Sequence, residues 1–152
     1  MSTDVDELAT MPLFENVPDN SLQTLIDNAE THTLGADEVL FEQGEDSSGS
    51  FFVVLKGEIG IRKMMRKEKS TVTNFSQGDF FGELALFTDE QRLAEAVALK
   101  PAEVLEIPRA SLGLLKDESP GSLITLYENM FRTMAGRFNA LAQKAEKTQF
   151  WL

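Results

Sequence analysis

The feature that most constrains the fold is a series of short apolar runs between residues 31 and 107, separated by glycines and polar clusters. Phe51–Leu55 is continuously apolar, and Ser70–Phe75 alternates, both of which are typical of β-strands. From Val39 onwards no proline occurs before Pro101, so these runs can pair as interior strands. Short strands at this spacing predict an all-β sandwich or barrel. The other runs that we predict as strands are Val39–Phe41, Glu58–Ile61, Val97–Leu99 and Val104–Ile107.

Helical patterns flank this β zone on both sides. Residues 4–30 include Pro18–Ser21, whose side chains can cap a helix, followed by apolar residues at helical spacing. Arg109–Lys116 predicts a short amphipathic helix. A longer helix is predicted from Ser119 and Pro120, because proline is favoured in the first turn of a helix.

The long C-terminal helix carries two apolar stripes. Leu123, Leu126 and Met130 form a stripe in its first turns only, so we expect the start of the helix to be buried on two sides and its later part on one. The other stripe, which we call the seam, repeats every three or four residues as in a coiled coil. Packing on the chain's own domain and two-fold pairing with a second copy both stay open for it. The seam consists of Ile124, Tyr127, Phe131, Met134, Phe138, Leu141 and Ala145.

The charge balance and the rarity of metal-binding residues exclude several classes of function. The 152 residues include 14 Lys or Arg and 25 Asp or Glu, a net charge of −11, so we expect no binding to nucleic acid or to anionic membranes. The one basic run, Arg62–Lys69, predicts a solvated hairpin tip that an acidic protein could contact. The chain has no cysteine and a single histidine, His32, around which the sequence places no ligand set, so we expect no metal site. The acidic N-terminus and the lack of about 20 consecutive apolar residues predict a cytoplasmic protein.

The residues from Gly82 to Arg92 can carry chemistry. Gly78–Phe87 predicts a loop that leads into one helical turn, and Gly82–Ala85 would place unpaired backbone amides at the start of that turn, where they can face an anion. Arg92 can hold two phosphate oxygens with its forked donors, and Glu83 is an acceptor suited to a sugar hydroxyl. From spacing alone, a sugar-phosphate site and a surface ion pair between Glu83 and Arg92 both stay open.

A family resemblance adds to this interpretation. Gly82–Leu86 followed by Arg92–Ala94 resembles the phosphate-binding cassette of the cyclic nucleotide-binding domain family, which includes the regulatory subunits of cAMP-dependent kinase and the catabolite activator protein. Val39–Glu45 and Phe51–Glu58 resemble the strands and glycine turns that precede the cassette. The resemblance extends from about Leu13 to Leu141, and it implies an eight-stranded jelly-roll β-barrel with N-terminal helices and a long C-terminal helix. We call residues 82–94 the cassette.

The resemblance also implies a role for individual cassette residues. Arg92 would bind the cyclic phosphate, Glu83 would accept a hydrogen bond from the ribose 2′-hydroxyl, and backbone amides would complete the phosphate cradle. Leu93 offers no hydroxyl to a guanine, which favours cAMP over cGMP or another cyclic nucleotide. The implied ligand-binding residues are Gly82, Glu83, Leu84, Ala85, Arg92, Leu93 and Ala94.

The function implied is that of a sensor that binds a nucleotide reversibly, with no cofactor and no catalysis. We expect one domain over residues 1–152, with a helical N-terminus (4–30), a barrel (31–107), C-terminal helices (109–147) and a tail (148–152). In the family the long helix lies over the base, moves when ligand binds and often forms a dimer contact. No helix-turn-helix pattern follows Leu141, so we expect the signal to pass to a protein partner or to a homodimer.

Acidic residues near the cassette leave an alternative open. Glu95 stands where the family often has threonine or another small residue, and it would oppose an anion or hold Arg92 in an ion pair. Asp89 and Glu90 add negative charge to the same loop. The alternative is therefore a barrel that binds no nucleotide and acts as a protein-interaction scaffold. Its contacts would be the seam or the aromatic tail 150–152, in which Trp151 is also a candidate cap for a bound base.

Overall fold

A computed structural model describes residues 3–147 of the chain, and the predicted tail lies outside the described residues. Four α-helices and two 3₁₀ turns accompany eight strands. The helices are α1 (Val5–Ala9), α2 (Asp19–Asp27), α3 (Arg109–Glu118) and α4 (Pro120–Lys147), and the 3₁₀ turns are Pro12–Phe14 and Glu83–Leu86. The strands are β1 (Glu30–Leu34), β2 (Val39–Phe41), β3 (Ser50–Lys56), β4 (Glu58–Met65), β5 (Glu68–Ser76), β6 (Phe80–Phe81), β7 (Glu95–Ala98) and β8 (Ala102–Pro108).

The strands form two antiparallel four-stranded sheets, in the orders β1-β8-β3-β6 and β2-β7-β4-β5. This arrangement confirms the predicted fold class, a jelly-roll-like β structure with N-terminal helices and a long C-terminal helix. The prediction omits two strands: β1, and the two-residue β6, which lies inside the segment predicted as a loop. The basic run Arg62–Lys69 forms the tip of the β4–β5 hairpin, with Arg66 and Lys67 at the turn, as the sequence predicts.

Alternation along β3 divides the core into two clusters. Phe51, Val53 and Leu55 pack with the helices on one face of the first sheet, whereas Phe52 and Val54 point into the barrel. A strand that is buried on both faces reads as a continuous apolar run, which is why Phe51–Leu55 shows no polar residue. The neighbouring pair Phe80 and Phe81 is divided between the two clusters in the same way.

Helix α4 packs on the domain mainly through its shorter apolar stripe. Leu123, Leu126 and Met130 are buried, and Asn129 donates hydrogen bonds to backbone carbonyls near the 3₁₀ turn Pro12–Phe14. Of the seam, Tyr127 and Met134 are half-buried and pack against the same core, whereas Ile124 is exposed, so the start of the helix is covered on its second side at Tyr127 only. Packing within the domain therefore does not account for the most exposed seam residues, Ile124, Phe131, Phe138 and Leu141, which are 55–64% exposed. Among the described residues, no helix combines the length and the apolar character that crossing a bilayer requires.

Candidate functional site

One cavity of about 240 Å³ opens between the barrel, the cassette and α4. All seven predicted ligand-binding residues, Gly82, Glu83, Leu84, Ala85, Arg92, Leu93 and Ala94, line it. Its volume is slightly below the roughly 300 Å³ at which small-molecule pockets begin, so it suits a small ligand. The structure thus brings together every residue that the sequence assigned to the site.

Gly82 allows the cassette to turn close against the barrel. Its φ of +76° lies in the left-handed region, which side-chain-bearing residues rarely adopt. A Cβ at this position would lie 2.9 Å from Nη1 of Arg92 and 3.3 Å from the ring of Phe52. The 3₁₀ turn Glu83–Leu86 follows directly. The Ala85 amide, expected to be unpaired, donates a long bond of 3.3 Å to the Gly82 carbonyl, because a 3₁₀ turn pairs residues three apart.

Arg92 is buried, and its donors are held by backbone carbonyls. Nη2 donates to the carbonyls of Ser47 and Ser50, each at 3.0 Å, and Nη1 donates to that of Gly82 at 3.3 Å. Within residues 3–147 no carboxylate lies at ion-pair distance from this guanidinium. The surface ion pair between Glu83 and Arg92, one of the two interpretations of the sequence, does not form.

The surroundings of Arg92 are apolar on one side and weakly negative on the other. The guanidinium lies 4.5 Å from the ring centre of Phe41 and 5.2 Å from that of Phe52, which are cation–π distances. Burial lowers the pKa of Arg92, and the negative charge of Glu106 and of the β2–β3 turn partly opposes this effect. An arginine does not lose its proton in proteins, so the cavity wall carries a positive charge without a paired anion.

Glu83 forms an ion pair with a residue that the sequence analysis missed. Arg137, on α4, places Nη1 2.9 Å from Oε1 of Glu83, and its Nη2 donates to the carbonyl of Phe80 at 2.6 Å. The rings of Phe75 and Phe80 lie 4.7 and 4.5 Å from the same guanidinium. No local motif marks Arg137, because its partner Glu83 is 54 positions away in the chain. The contact connects the cassette to the long helix.

Two further contacts join the cassette to the C-terminal helices. Phe87, at the end of the 3₁₀ turn, packs on Tyr127 of α4 with ring centres 5.7 Å apart. Burial raises the pKa of Tyr127, so this ring stays neutral at physiological pH. Arg109, the first residue of α3, donates to the carbonyl of Ala85 at 2.7 Å and to that of Thr88 at 3.3 Å.

The acidic residues near the cassette do not block the cavity in the way the sequence suggested. Glu95 is buried, is not among the residues that line the cavity, and lies 2.7 Å from Nζ of Lys69 on β5. Ala94, which precedes β7, lines the cavity, whereas Glu95, the first residue of β7, does not. Asp89 is exposed and lies 3.5 Å from Arg109. The expectation that Glu95 faces the phosphate or pairs with Arg92 is therefore wrong, and only Glu90 contributes a carboxylate to the lining beside Glu83.

His32 also differs from the expectation that no ligand set surrounds it. Its Nε2 lies 2.7 Å from Oε1 of Glu106, on the neighbouring strand β8. Glu30 lies close to both side chains. No local pattern marks this cluster, because His32 and Glu106 are 74 positions apart in the chain.

Comparison with known proteins finds one family whose model covers both the barrel strands and the cassette. The family model described as "Cyclic nucleotide-binding domain" matches residues 31–118, which is more than half of the chain. A cAMP-dependent protein kinase regulatory subunit from Mycosarcoma maydis is 25% identical over 143 residues, covering 94% of this chain and 24% of that protein. The cGMP-dependent protein kinase egl-4 from Caenorhabditis briggsae is 30% identical over 110 residues, covering 70% of this chain and 15% of that protein. The chain thus spans less than a quarter of the length of these relatives.

Solved structures show the same architecture. A cyclic nucleotide-binding domain from Methylobacillus flagellatus KT superposes with a TM-score of 0.80 at 18% sequence identity, covering 95% of this chain and 81% of that chain. The match extends beyond the barrel to the helices on both sides of it.

Proposed function

Because this chain belongs to the cyclic nucleotide-binding domain family, we propose that it senses a cyclic nucleotide in the cavity beside the cassette. One observation carries the proposal. Arg92 presents a buried positive charge at the cavity wall, and its hydrogen-bond partners are neutral carbonyls. A buried cation without an anion is costly to maintain, and a singly charged phosphodiester would supply that anion.

The cavity offers separate places for the parts of such a ligand. The phosphate would lie on Arg92, exchanging hydrogen bonds to neutral carbonyls for hydrogen bonds to an anion, in which donor and acceptor are both charged. The ribose 2′-hydroxyl would donate to Glu83, whose second oxygen can stay with Arg137. The open side, at Leu93 and Leu84, would receive the base. Leu93 supports cAMP over cGMP, since it has no hydroxyl for a guanine.

Ligand binding would change how α4 sits on the cassette. Glu83 is both the proposed ribose acceptor and the partner of Arg137, so the nucleotide and the helix share one carboxylate. We propose that the chain performs no catalysis of its own and that its output is this change at α4, transmitted to a protein partner.

The exposed seam of α4 is the proposed surface for that output, and a second copy of the chain fits it. The seam is apolar, and an apolar stripe at coiled-coil spacing is complementary to itself. Phe138 and its neighbour Asn139 are both exposed, but only Phe138 belongs to the seam. We expect Phe138→Glu to give a monomer in sedimentation velocity and Asn139→Glu to leave the dimer intact. A wild-type chain that is monomeric at all accessible concentrations would contradict the pairing.

Calorimetric titration of the full chain tests the nucleotide proposal. Cyclic AMP is expected to bind with one site per chain, cyclic GMP more weakly, and linear 5′-AMP more weakly still, because its phosphate carries more negative charge than a cyclic diester. Equal binding of cyclic and linear nucleotides would contradict the proposed site, since it would indicate binding by the base alone.

A second candidate function is a scaffold that binds no nucleotide. One observation favours it: the hydrogen bonds of Arg92 and Glu83 are already satisfied within the chain. No heat with any cyclic nucleotide, together with an intact dimer through the seam, would support the scaffold and contradict the sensor.

A further inference from the structure

A cluster of three potential metal ligands lies on the β1–β8 strand pair, apart from the cavity. The register places Glu30 directly opposite Glu106, and His32 follows two positions along β1. Residues two apart on a strand share a face, so the imidazole and the two carboxylates point the same way. None of the three belongs to the cavity lining.

The ligand atoms are close enough for one ion to reach all three. Nε2 of His32 lies 2.7 Å from Oε1 of Glu106, and one oxygen of Glu30 completes a set whose members all lie within 4.8 Å of one another. In a tetrahedral zinc site with bonds of about 2.0–2.2 Å, neighbouring ligand atoms lie about 3.3–3.6 Å apart, so rotations of the three side chains would bring their ligand atoms to that spacing. The side chains of His32 and Glu106 are 27% and 23% exposed, so solvent ions can reach them while the paired strands hold their backbones.

The two carboxylates of the cluster lie at opposite positions on neighbouring strands. Like charges at directly opposite positions of neighbouring strands destabilise a sheet. In the part of the chain that the structure describes, no lysine or arginine forms an ion pair with Glu30 or Glu106. The charge of Glu106 acts on Arg92, but the donors of Arg92 are directed at backbone carbonyls. A divalent cation would offset both carboxylates at once.

The chemistry of the donors selects the metal. One imidazole nitrogen and two carboxylate oxygens are ligands typical of Zn²⁺ with an open fourth position, whereas Mg²⁺ and Ca²⁺ prefer oxygen alone. The chain has no cysteine, so no thiolate competes for the ion. We propose that Glu30, His32 and Glu106 form a Zn²⁺ site on the β1–β8 pair, with its remaining position open to water. This site is independent of the proposed nucleotide function.

Titration of the untagged full chain with Zn²⁺ tests the site. We expect one Zn²⁺ per chain, no displacement by excess Mg²⁺, and at least about 100-fold weaker binding in His32→Ala, because even residues that only support a ligand cost 10–100-fold when they are removed. Glu103→Gln is the matched control. Glu103 lies on β8, as Glu106 does, but it pairs with Thr33 and faces the opposite side of the sheet from the cluster. Zn²⁺ uptake that is unchanged in His32→Ala would overturn the proposal.

A proton NMR measurement on the wild-type chain tests the site without requiring that a variant folds. The chain has a single histidine, so its imidazole signals belong to His32 without assignment. One equivalent of Zn²⁺ is expected to shift both ring-proton signals, and Mg²⁺ is expected to leave them in place. Ring signals that do not move with Zn²⁺ would show that the cluster is a hydrogen-bonded pair with a nearby carboxylate and no metal site.

Discussion

Two arginines face the same cavity from opposite walls, and they differ in what neutralises them. Arg92 comes from the barrel side, is buried, and contacts only carbonyls and aromatic rings. Arg137 comes from α4, is 30% exposed, and already holds the carboxylate of Glu83. Both guanidiniums lie against phenylalanine rings, so they differ in burial and in charge pairing but not in their aromatic neighbours.

Because of this difference, the proposed phosphate position at Arg92 is available without breaking an ion pair, whereas the ribose position at Glu83 is shared with Arg137. A ligand phosphate would gain the charge of Arg92 without breaking an ion pair, because none exists there. A ribose hydroxyl would have to share Glu83 with Arg137, and that sharing couples the ligand to the helix. Anchoring on the barrel and signalling through the helix are thus assigned to different charges.

The largest effect is expected at Arg92. Replacing Arg92 by alanine removes two or more charge-assisted hydrogen bonds of about 1.5–3 kcal/mol each, so cyclic nucleotide affinity should fall at least about 100-fold by calorimetry. Arg132→Ala, on α4, is the control and should stay within about twofold, since its one hydrogen bond goes to Asn129. Affinity within about threefold of wild type in a folded Arg92→Ala chain would place the phosphate elsewhere.

Glu83 should show a smaller effect that depends on the ligand's own hydroxyl. We expect Glu83→Ala to weaken cAMP binding about tenfold, through loss of one hydrogen bond to a charged acceptor. The 2′-deoxy analogue of cAMP should bind wild type about tenfold more weakly but should lose little more in Glu83→Ala. Additive losses in this cycle would mean that Glu83 and the 2′-hydroxyl do not meet.

Replacing Arg137 should affect the local stability of α4 more than the affinity for the nucleotide. Arg137→Met is expected to change nucleotide affinity by less than about threefold, because its charge is already paired with Glu83. Hydrogen exchange should become faster over the later part of α4, since the helix loses its ion pair with the cassette. Arg132→Met provides the matched control on the same helix. A loss of affinity as large as that of Arg92→Ala would contradict the different roles proposed for Arg92 and Arg137.

The smallest effect is expected at the rim of the cavity. Leu93 is 55% exposed and lines the open side, so Leu93→Thr adds a hydroxyl without disturbing the core. One neutral hydrogen bond should shift the ratio of cGMP to cAMP affinity by about threefold towards cGMP, as measured by competition binding. An unchanged ratio would show that the base does not approach Leu93.

Local patterns predicted most of the fold, and the misses have physical causes. The strands of the barrel follow from apolar runs and glycine turns, and Pro120 marks the start of α4. Strand β6 was not predicted because two residues are too few to show the alternation of a strand. The seam of α4 has the periodicity of a buried stripe, and periodicity alone does not say which stripe the domain covers. The shorter stripe, Leu123 to Met130, is the one that packs.

The sequence by itself determined which cassette residues line the cavity. They lie within 13 consecutive positions, so a short local segment of chain brings them together. Only the tertiary structure decided the partners of their charges. Arg137 reaches Glu83 because α4 lies along the cavity, and Lys69 reaches Glu95 because β5 and β7 are both neighbours of β4 in the second sheet. Ion pairs act through space over a few ångströms, and a chain position carries no record of which distant position folding will bring within that range.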